Sequence, residues 1–196
     1  GIRLAEVLIN EAIADEEEQM ARAGLLDSID FMIEANTEIG VLRQIALSVS
    51  GIRRAAADVI LRRLAVEFGE DEIVRDGIIS GLGNRELEFL QRALADPTFA
   101  DESKPVKTLI RELAGCVARQ KNAYRIDQLL RLAAAQEETA RWRLKSILDG
   151  LADVAAPGKK GRKAKPVHYA QQPVAYAALA EISDKQTREK LAKLDK

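Results

Sequence analysis

The sequence predicts an all-α chain folded as an α-solenoid of stacked antiparallel helix pairs with a short helical C-terminal tail, and three observations predict it. Ala, Leu, Ile, Arg and Glu dominate the 196 residues while aromatics make up only 4%, a composition that favours helix and disfavours sheet. Five arginines, Arg3, Arg43, Arg75, Arg111 and Arg143, each sit inside an apolar helical run, at intervals of 40, 32, 36 and 32 residues. Two copies align without a gap: Val41 to Gly51 lies over Ile73 to Gly83, and both read apolar-apolar-Arg, then an apolar stretch holding Ser, then Gly. Units of this length cannot bury their apolar faces alone and must stack on one another.

The elements follow in order. Ile2, Leu4, Ala5, Val7, Leu8, Ala12 and Ile13 form a helical stripe that opens mid-repeat, so the first repeat reads as truncated and the chain as a segment of a longer or processed protein. The acidic run Asp15 to Glu18 leads into an apolar stretch from Leu25 to Ile33, and Asn36-Thr37 caps a turn before the Arg43 helix. The next pair joins a helix from Ile52 to Phe68 to one from Glu72 to Leu82, with Gly69 as the C-terminal cap between them. Helices from Arg85 to Leu94 and Pro105 to Arg119 flank Asp96-Pro97, and the last pair runs from Tyr124 to Ala135 and Thr139 to Leu151. Repeats thus cover 1–154, with Leu47, Ile78, Leu82, Leu113, Ile147 and Leu151 expected in one shared core. Gly77, Gly81 and Gly115 fall inside helical patterns, where each costs about 1 kcal/mol relative to Ala, so close helix approach is their expected reason.

From residue 155 the pattern changes. Residues 155–167 form a basic Pro/Gly linker with Lys159, Lys160, Arg162, Lys163 and Lys165 and no apolar face. Residues 168–196 read as a short helical tail, with Pro173 in the first turn before Val174 to Ile182, and Asp184 capping a lysine-rich helix to Leu194.

Charge and chemistry exclude more than they assign. Thirty basic and thirty-one acidic side chains leave a net charge of −1, which provides no global field toward nucleic acid or an anionic membrane. No apolar run approaches the ~20 residues needed to span a bilayer, so membrane insertion is not expected. The chain has one cysteine, Cys116, and one histidine, His168; it has no C-x-x-C, no haem-attachment motif, no G-x-G-x-x-G and no P-loop. Cys116, among Leu113, Ala114, Val117 and Ala118, reads as a buried inert thiol. Asp15 to Glu18 reads as a solvated helix start, since consecutive helical carboxylates point in different directions. Gly81-Leu82-Gly83-Asn84 ends a helix and is a turn, and Trp142, between Arg141 and Arg143, reads as a packing anchor. No catalytic, cofactor-binding or metal-ligating residue is assigned, and no cofactor is expected.

The arginine ladder therefore reads as structural, each planar guanidinium holding turn carbonyls and carboxylates of the neighbouring unit; a row of anion sites is its rival. The five basic linker residues are the possible anion or partner contacts.

These features resemble HEAT repeats, which carry an Arg in the second helix of each pair, usually after an acidic turn; Asp71 stands before Arg75, with Asn36 and Glu38 before Arg43. More narrowly, the runs Leu42 to Ser48, Val74 to Leu82 and Leu109 to Ala114, together with Gln172 to Ala180 and Asp184, resemble the HEAT-like segment of PVC-type membrane-bound dehydrogenase/cytochrome c proteins. In that family a sugar-dehydrogenase-like β-propeller precedes the repeats and a C-x-x-C-H cytochrome module follows. Neither motif stands in this sequence, so the resemblance implies a connecting or docking role in an exported, periplasmic redox protein and transfers no catalytic residue.

The function expected is a non-catalytic helical scaffold that positions flanking domains or docks a protein partner. The alternative is a free-standing adaptor whose basic linker binds nucleic acid or an acidic partner.

Overall fold

The structure, a computed structural model, describes residues 16–35 and 38–155 together with residues 179, 185, 188 and 189. It is all-helical, with no strand among the described residues. The helices are α1 (Glu16–Ala35), α2 (Ile39–Val49), α3 (Ala55–Glu67), α4 (Glu72–Leu82), α5 (Glu86–Ala95), α6 (Lys104–Arg119), α7 (Ala123–Ala134) and α8 (Arg141–Ala155), with 3-10 turns at Pro97–Phe99 and Glu138–Ala140. The expected helix before Asp15, the Asn36-Thr37 cap and the basic linker lie outside the described residues. In the tail, residues 179, 185, 188 and 189 are helical, and Leu179 is buried.

Local chemistry sets the boundaries. Asp71 caps α4 by accepting from the Val74 backbone N–H, and Gly83 ends that helix at φ 50°, in the left-handed region that only glycine enters without cost. Ser103 caps α6, with Pro105 in its first turn where the missing N–H is harmless, and Asn122 caps α7 through Arg125 N. The helix expected from Ile52 starts at Ala55 instead. Ile52 N donates to Val49 O in a turn, and its side chain is buried there, so the apolar signal came from a turn residue. Gly69 is not a left-handed cap: Phe68 closes α3 at φ −125°, and Gly83 is the positive-φ glycine among the described residues.

The chain divides at Gly83–Asn84 into two compact units, inside the array expected to run continuously over 1–154. In the first unit, α2 and α4 pack most closely, with α3 touching both. Arg43 meets Asp71, Ala46 and Leu47 meet Gly77, and Ser50 meets Gly81; the numbers rise together, so the two arginine-bearing helices run parallel. A Cβ on Gly81 would overlap Ser50 Oγ and lie 2.7 Å from the Ser50 carbonyl carbon, which explains why glycine stands inside a helix there. Arg63 ties α3 to α1 by reaching Asp30 at 3.0 Å and Glu34 at 3.2 Å.

The second unit repeats this plan. Helices α6 and α8 pack most closely and α7 contacts both. Gly150 faces the Arg111 carbonyl and Ala114, and Gly115 faces Gly150 O and Val154, again in parallel register. A Cβ on Gly150 would overlap the Arg111 carbonyl oxygen and approach Ala114 Cβ to 2.9 Å. Glu86 accepts from Gln120 Nε2 at 2.7 Å, and Arg125 clamps Glu88 with two bonds of 2.9 Å and the Asn84 carbonyl at 2.8 Å, joining α5 to α6 and α7.

Of the six residues expected in one core, Ile78 and Leu82 are buried in the first unit, and Leu113, Ile147 and Leu151 in the second. Leu47 is a correction: it is 46% exposed. It shares a four-residue spacing with Ile39 and Arg43 on the outer face of α2, while Leu42, Ile45, Ala46 and Val49 point inward.

Candidate interaction surface

The four described ladder arginines share a sequence position but not a partner. Arg43 forks onto Asp71, Nε to Oδ1 at 3.0 Å and Nη2 to Oδ2 at 2.7 Å, and so reaches the cap of the next arginine helix. That hydrogen-bonded pairing raises the Arg43 pKa and holds the Asp71 carboxyl at about 2. Arg111 forks onto Asp153 of α8, and this pairing raises its pKa as well. Arg143 instead reaches back to carbonyls, Leu94 O at 3.2 Å and Phe99 O at 2.8 Å. Each of these three guanidiniums reaches beyond its own helix.

Arg75 Nη1 donates to Gly69 O at 2.7 Å and Glu70 O at 3.0 Å, the turn of its own hairpin. Arg3 and the linker cations Lys159, Lys160, Arg162, Lys163 and Lys165 lie outside the described residues, as does His168.

Around this ladder the arginine helices present two outer faces. On α2 and α4 the face carries Ile39, Leu47 and Ile73, which are 39%, 46% and 46% exposed. Between α6 and α8 runs a shallow groove of about 380 Å³. Lys107, Thr108 and Arg111 line it from α6; Trp142, Lys145, Ser146 and Asp149 line it from α8, and Glu102 closes one end. The hydroxyls are bonded to their own helix, Thr108 Oγ1 to Lys104 O at 2.9 Å and Ser146 Oγ to Trp142 O at 2.8 Å. Lys107 Nζ holds Glu102 at 2.8 Å. Trp142 is half-buried at a groove wall, with the Arg143 guanidinium 5.4 Å from its ring centroid.

Cys116 is half-buried, not fully buried, and its Sγ accepts from Arg119 Nη2 at 3.0 Å. Among the described residues, no three His, Cys, Asp or Glu side chains gather to hold a metal, and no helix is long and apolar enough to cross a membrane.

Gly150, Asp153 and the groove itself escaped the sequence reading, although one signal was present. Ala46, Ala114 and Ser146 stand three residues after an arginine, and Ser50, Ala118 and Gly150 stand seven after, so three of four copies keep small residues on the stripe where parallel helices touch. The Arg75 copy has Ile78 and Leu82 at those places and carries its small residues one step earlier, at Gly77 and Gly81.

Neither a protein-family model, nor a curated protein, nor a solved structure matches this chain.

Proposed function

We propose that the chain is a non-catalytic helical-repeat scaffold that docks a protein partner or flanking domains on the outer faces of its arginine-bearing helices. The observation that carries this reading is the parallel pairing of α2 with α4 and of α6 with α8. Copies 32 residues apart lie side by side at glycine contacts, which is the neighbour-to-neighbour stacking a solenoid needs. Such pairing leaves one outer stripe per helix, and on these stripes stand Leu47, Ile73 and Trp142 rather than a uniformly charged surface. The HEAT-like identity, and a place between the domains of a larger exported redox protein, rest on the resembling runs Leu42 to Ser48, Val74 to Leu82 and Leu109 to Ala114. The adaptor alternative rests on the linker charges, Lys159 to Lys165.

Site-specific photo-crosslinking in the cell that makes the protein tests this. A photoreactive phenylalanine analogue at Leu47, Ile73 or Lys145 is expected to yield a discrete adduct with a protein or with a flanking domain. The same probe at Val59 on α3 and Tyr124 on α7, both exposed, serves as the control and is expected to yield none. Adducts confined to probes at Lys159 to Lys165 would favour the adaptor, and adducts at none of these positions would end the docking reading.

A further inference from the structure

The outer face of α2 and α4 is unevenly charged. Leu47 stands beside Gly77, its Cγ 3.3 Å from the place a Cβ there would take, and Ile73 lies one turn before Gly77 on the same helix. Ile39 precedes Arg43 by one turn on α2, so the exposed side chains of Ile39, Leu47 and Ile73 flank the seam between the two helices. Glu72 and Asp76 are exposed along α4 on the same side, four residues apart and so one above the other at about 6 Å. Neither side chain has a hydrogen bond or an ion pair among the described residues. Each helix carries one cation, and both act elsewhere: Arg43 forks onto Asp71, and Arg75 donates to the Gly69 and Glu70 carbonyls. With both counted, the face and the turn that opens α4 hold four carboxylates, Glu70, Asp71, Glu72 and Asp76, against two guanidiniums. Glu72 suits the dipole at the start of α4, but Asp76 lies beyond the first turn, where that stabilisation has faded.

We propose that this face docks a basic amphipathic helix of a protein partner, setting Lys or Arg side chains one turn apart on Glu72 and Asp76 and apolar side chains against Leu47 and Ile73. The proposal rests on the docking reading above and names the chemistry of the partner. Unmatched carboxylates beside exposed apolar groups favour such a helix, and they repel phosphate polymers and anionic lipid surfaces. The chain's own basic stretch, Lys159 to Lys165, offers charges without large apolar side chains, so it does not supply the apolar half of the contact.

The 196-residue chain is titrated into a fluorescently labelled Lys/Leu peptide whose lysines recur at every fourth position, and into a matching Glu/Leu peptide, with anisotropy as the signal. The Lys/Leu peptide is expected to bind saturably and the Glu/Leu peptide not to bind. The variant Glu72→Lys/Asp76→Lys is expected to weaken binding at least about tenfold, with unchanged helical circular dichroism. Glu72→Gln/Asp76→Asn, which adds no new charge, provides the same comparison if the double reversal disturbs α4. Leu47→Ser, at an exposed position, is expected to weaken binding as well. Glu137→Gln/Glu138→Gln removes two exposed carboxylates from the second unit and is expected to leave binding unchanged. No saturable binding, equal binding of the Glu/Leu peptide, or an equal loss in the Glu137/Glu138 variant would overturn the proposal. So would binding that emerges only when Lys159, Lys160, Arg162, Lys163 and Lys165 are replaced by Gln, which would make the chain's own cations the occupant. If the peptide does not bind while adducts persist at Leu47 or Ile73, the basic-partner assignment falls and the docking reading stands.

Discussion

Arg43 and Asp71, 28 residues apart, are joined by two hydrogen bonds of 3.0 and 2.7 Å, and the same Asp71 Oδ1 accepts the Val74 backbone N–H at 3.0 Å. One carboxylate thus starts α4 and ties it to α2. The two roles separate by substitution. Asp71→Asn keeps a capping oxygen and loses the charge, whereas Asp71→Ala loses both and gives up about 1 kcal/mol for the cap alone. Chemical denaturation should rank wild type, Asn, then Ala in falling stability; equal loss in both variants would mean the ion pair, not the cap, holds the helix start.

Acid should weaken the first unit in a defined window. The Asp71 carboxyl titrates at about 2 in the folded chain against an ordinary 3.8, chiefly because Arg43 hydrogen-bonds it. A carboxyl depressed by folding stabilises above its unfolded pKa, and that contribution is lost as pH falls from about 3.8 toward 2. Glu88 in the second unit moves the same way: burial pushes its pKa up, but the hydrogen bonds from Arg125 and its nearby charge more than offset this. Unfolding followed by circular dichroism should show a shallower acid limb in Asp71→Asn than in wild type. Superimposable limbs would remove Asp71 from the account.

Glycine contacts should be felt unequally. Gly81→Ala and Gly150→Ala drive a methyl into Ser50 and into the Arg111 carbonyl, and each should destabilise by about 1–3 kcal/mol. Gly40 has nothing within 4 Å of an added Cβ, so Gly40→Ala should stabilise α2 by about 0.5–1 kcal/mol. A thermal melt in which all three substitutions stabilise would contradict the close approach of the paired helices.

The ladder arginines should differ in the same way. Arg143→Ala leaves the carbonyls of Leu94, in the last turn of α5, and of Phe99, in the 3-10 turn that follows, without this donor and should cost about 1–3 kcal/mol. Arg143→Lys keeps the charge but not the fork, so it should recover only part of that loss. Arg111→Ala breaks an exposed pair and should cost no more than about 1 kcal/mol, less in high salt. Urea titrations giving equal losses at both positions would restore the uniform ladder.

The pattern of legibility follows from what each signal depends on. Helix class and the Glu72–Leu82 span were readable because propensity, the Asp71 cap and the Gly83 stop all act within a few residues. The small-residue contact at Gly81 was readable as an anomaly, a glycine placed where a helix disfavours it. Leu47 misled because its apolarity suits either side of a helix, and only the packing of α2 on α4 decides which stripe turns inward. The partners of Arg75 and Arg111 were not readable for the same reason: Gly69 lies in a local turn and Asp153 lies 42 residues away, and sequence spacing gives the arginine but not the acceptor. The groove at Trp142 depends on two helices meeting and has no local signature.

The docking faces exist only if arginine-bearing helices pair in parallel, and through-space proton contacts in solution test that pairing most directly. Ala46 Cβ lies 3.2 Å from the place a Gly77 Cβ would take, and Ala114 Cβ lies 2.9 Å from the corresponding place at Gly150. Nuclear Overhauser spectra of the labelled chain should therefore show the Ala46 methyl against Gly77 Hα and the Ala114 methyl against Gly150 Hα. Cross-peaks in the opposite register, Ala46 with Gly81 and Ser50 with Gly77, or no contact between α2 and α4 at all, would contradict the account.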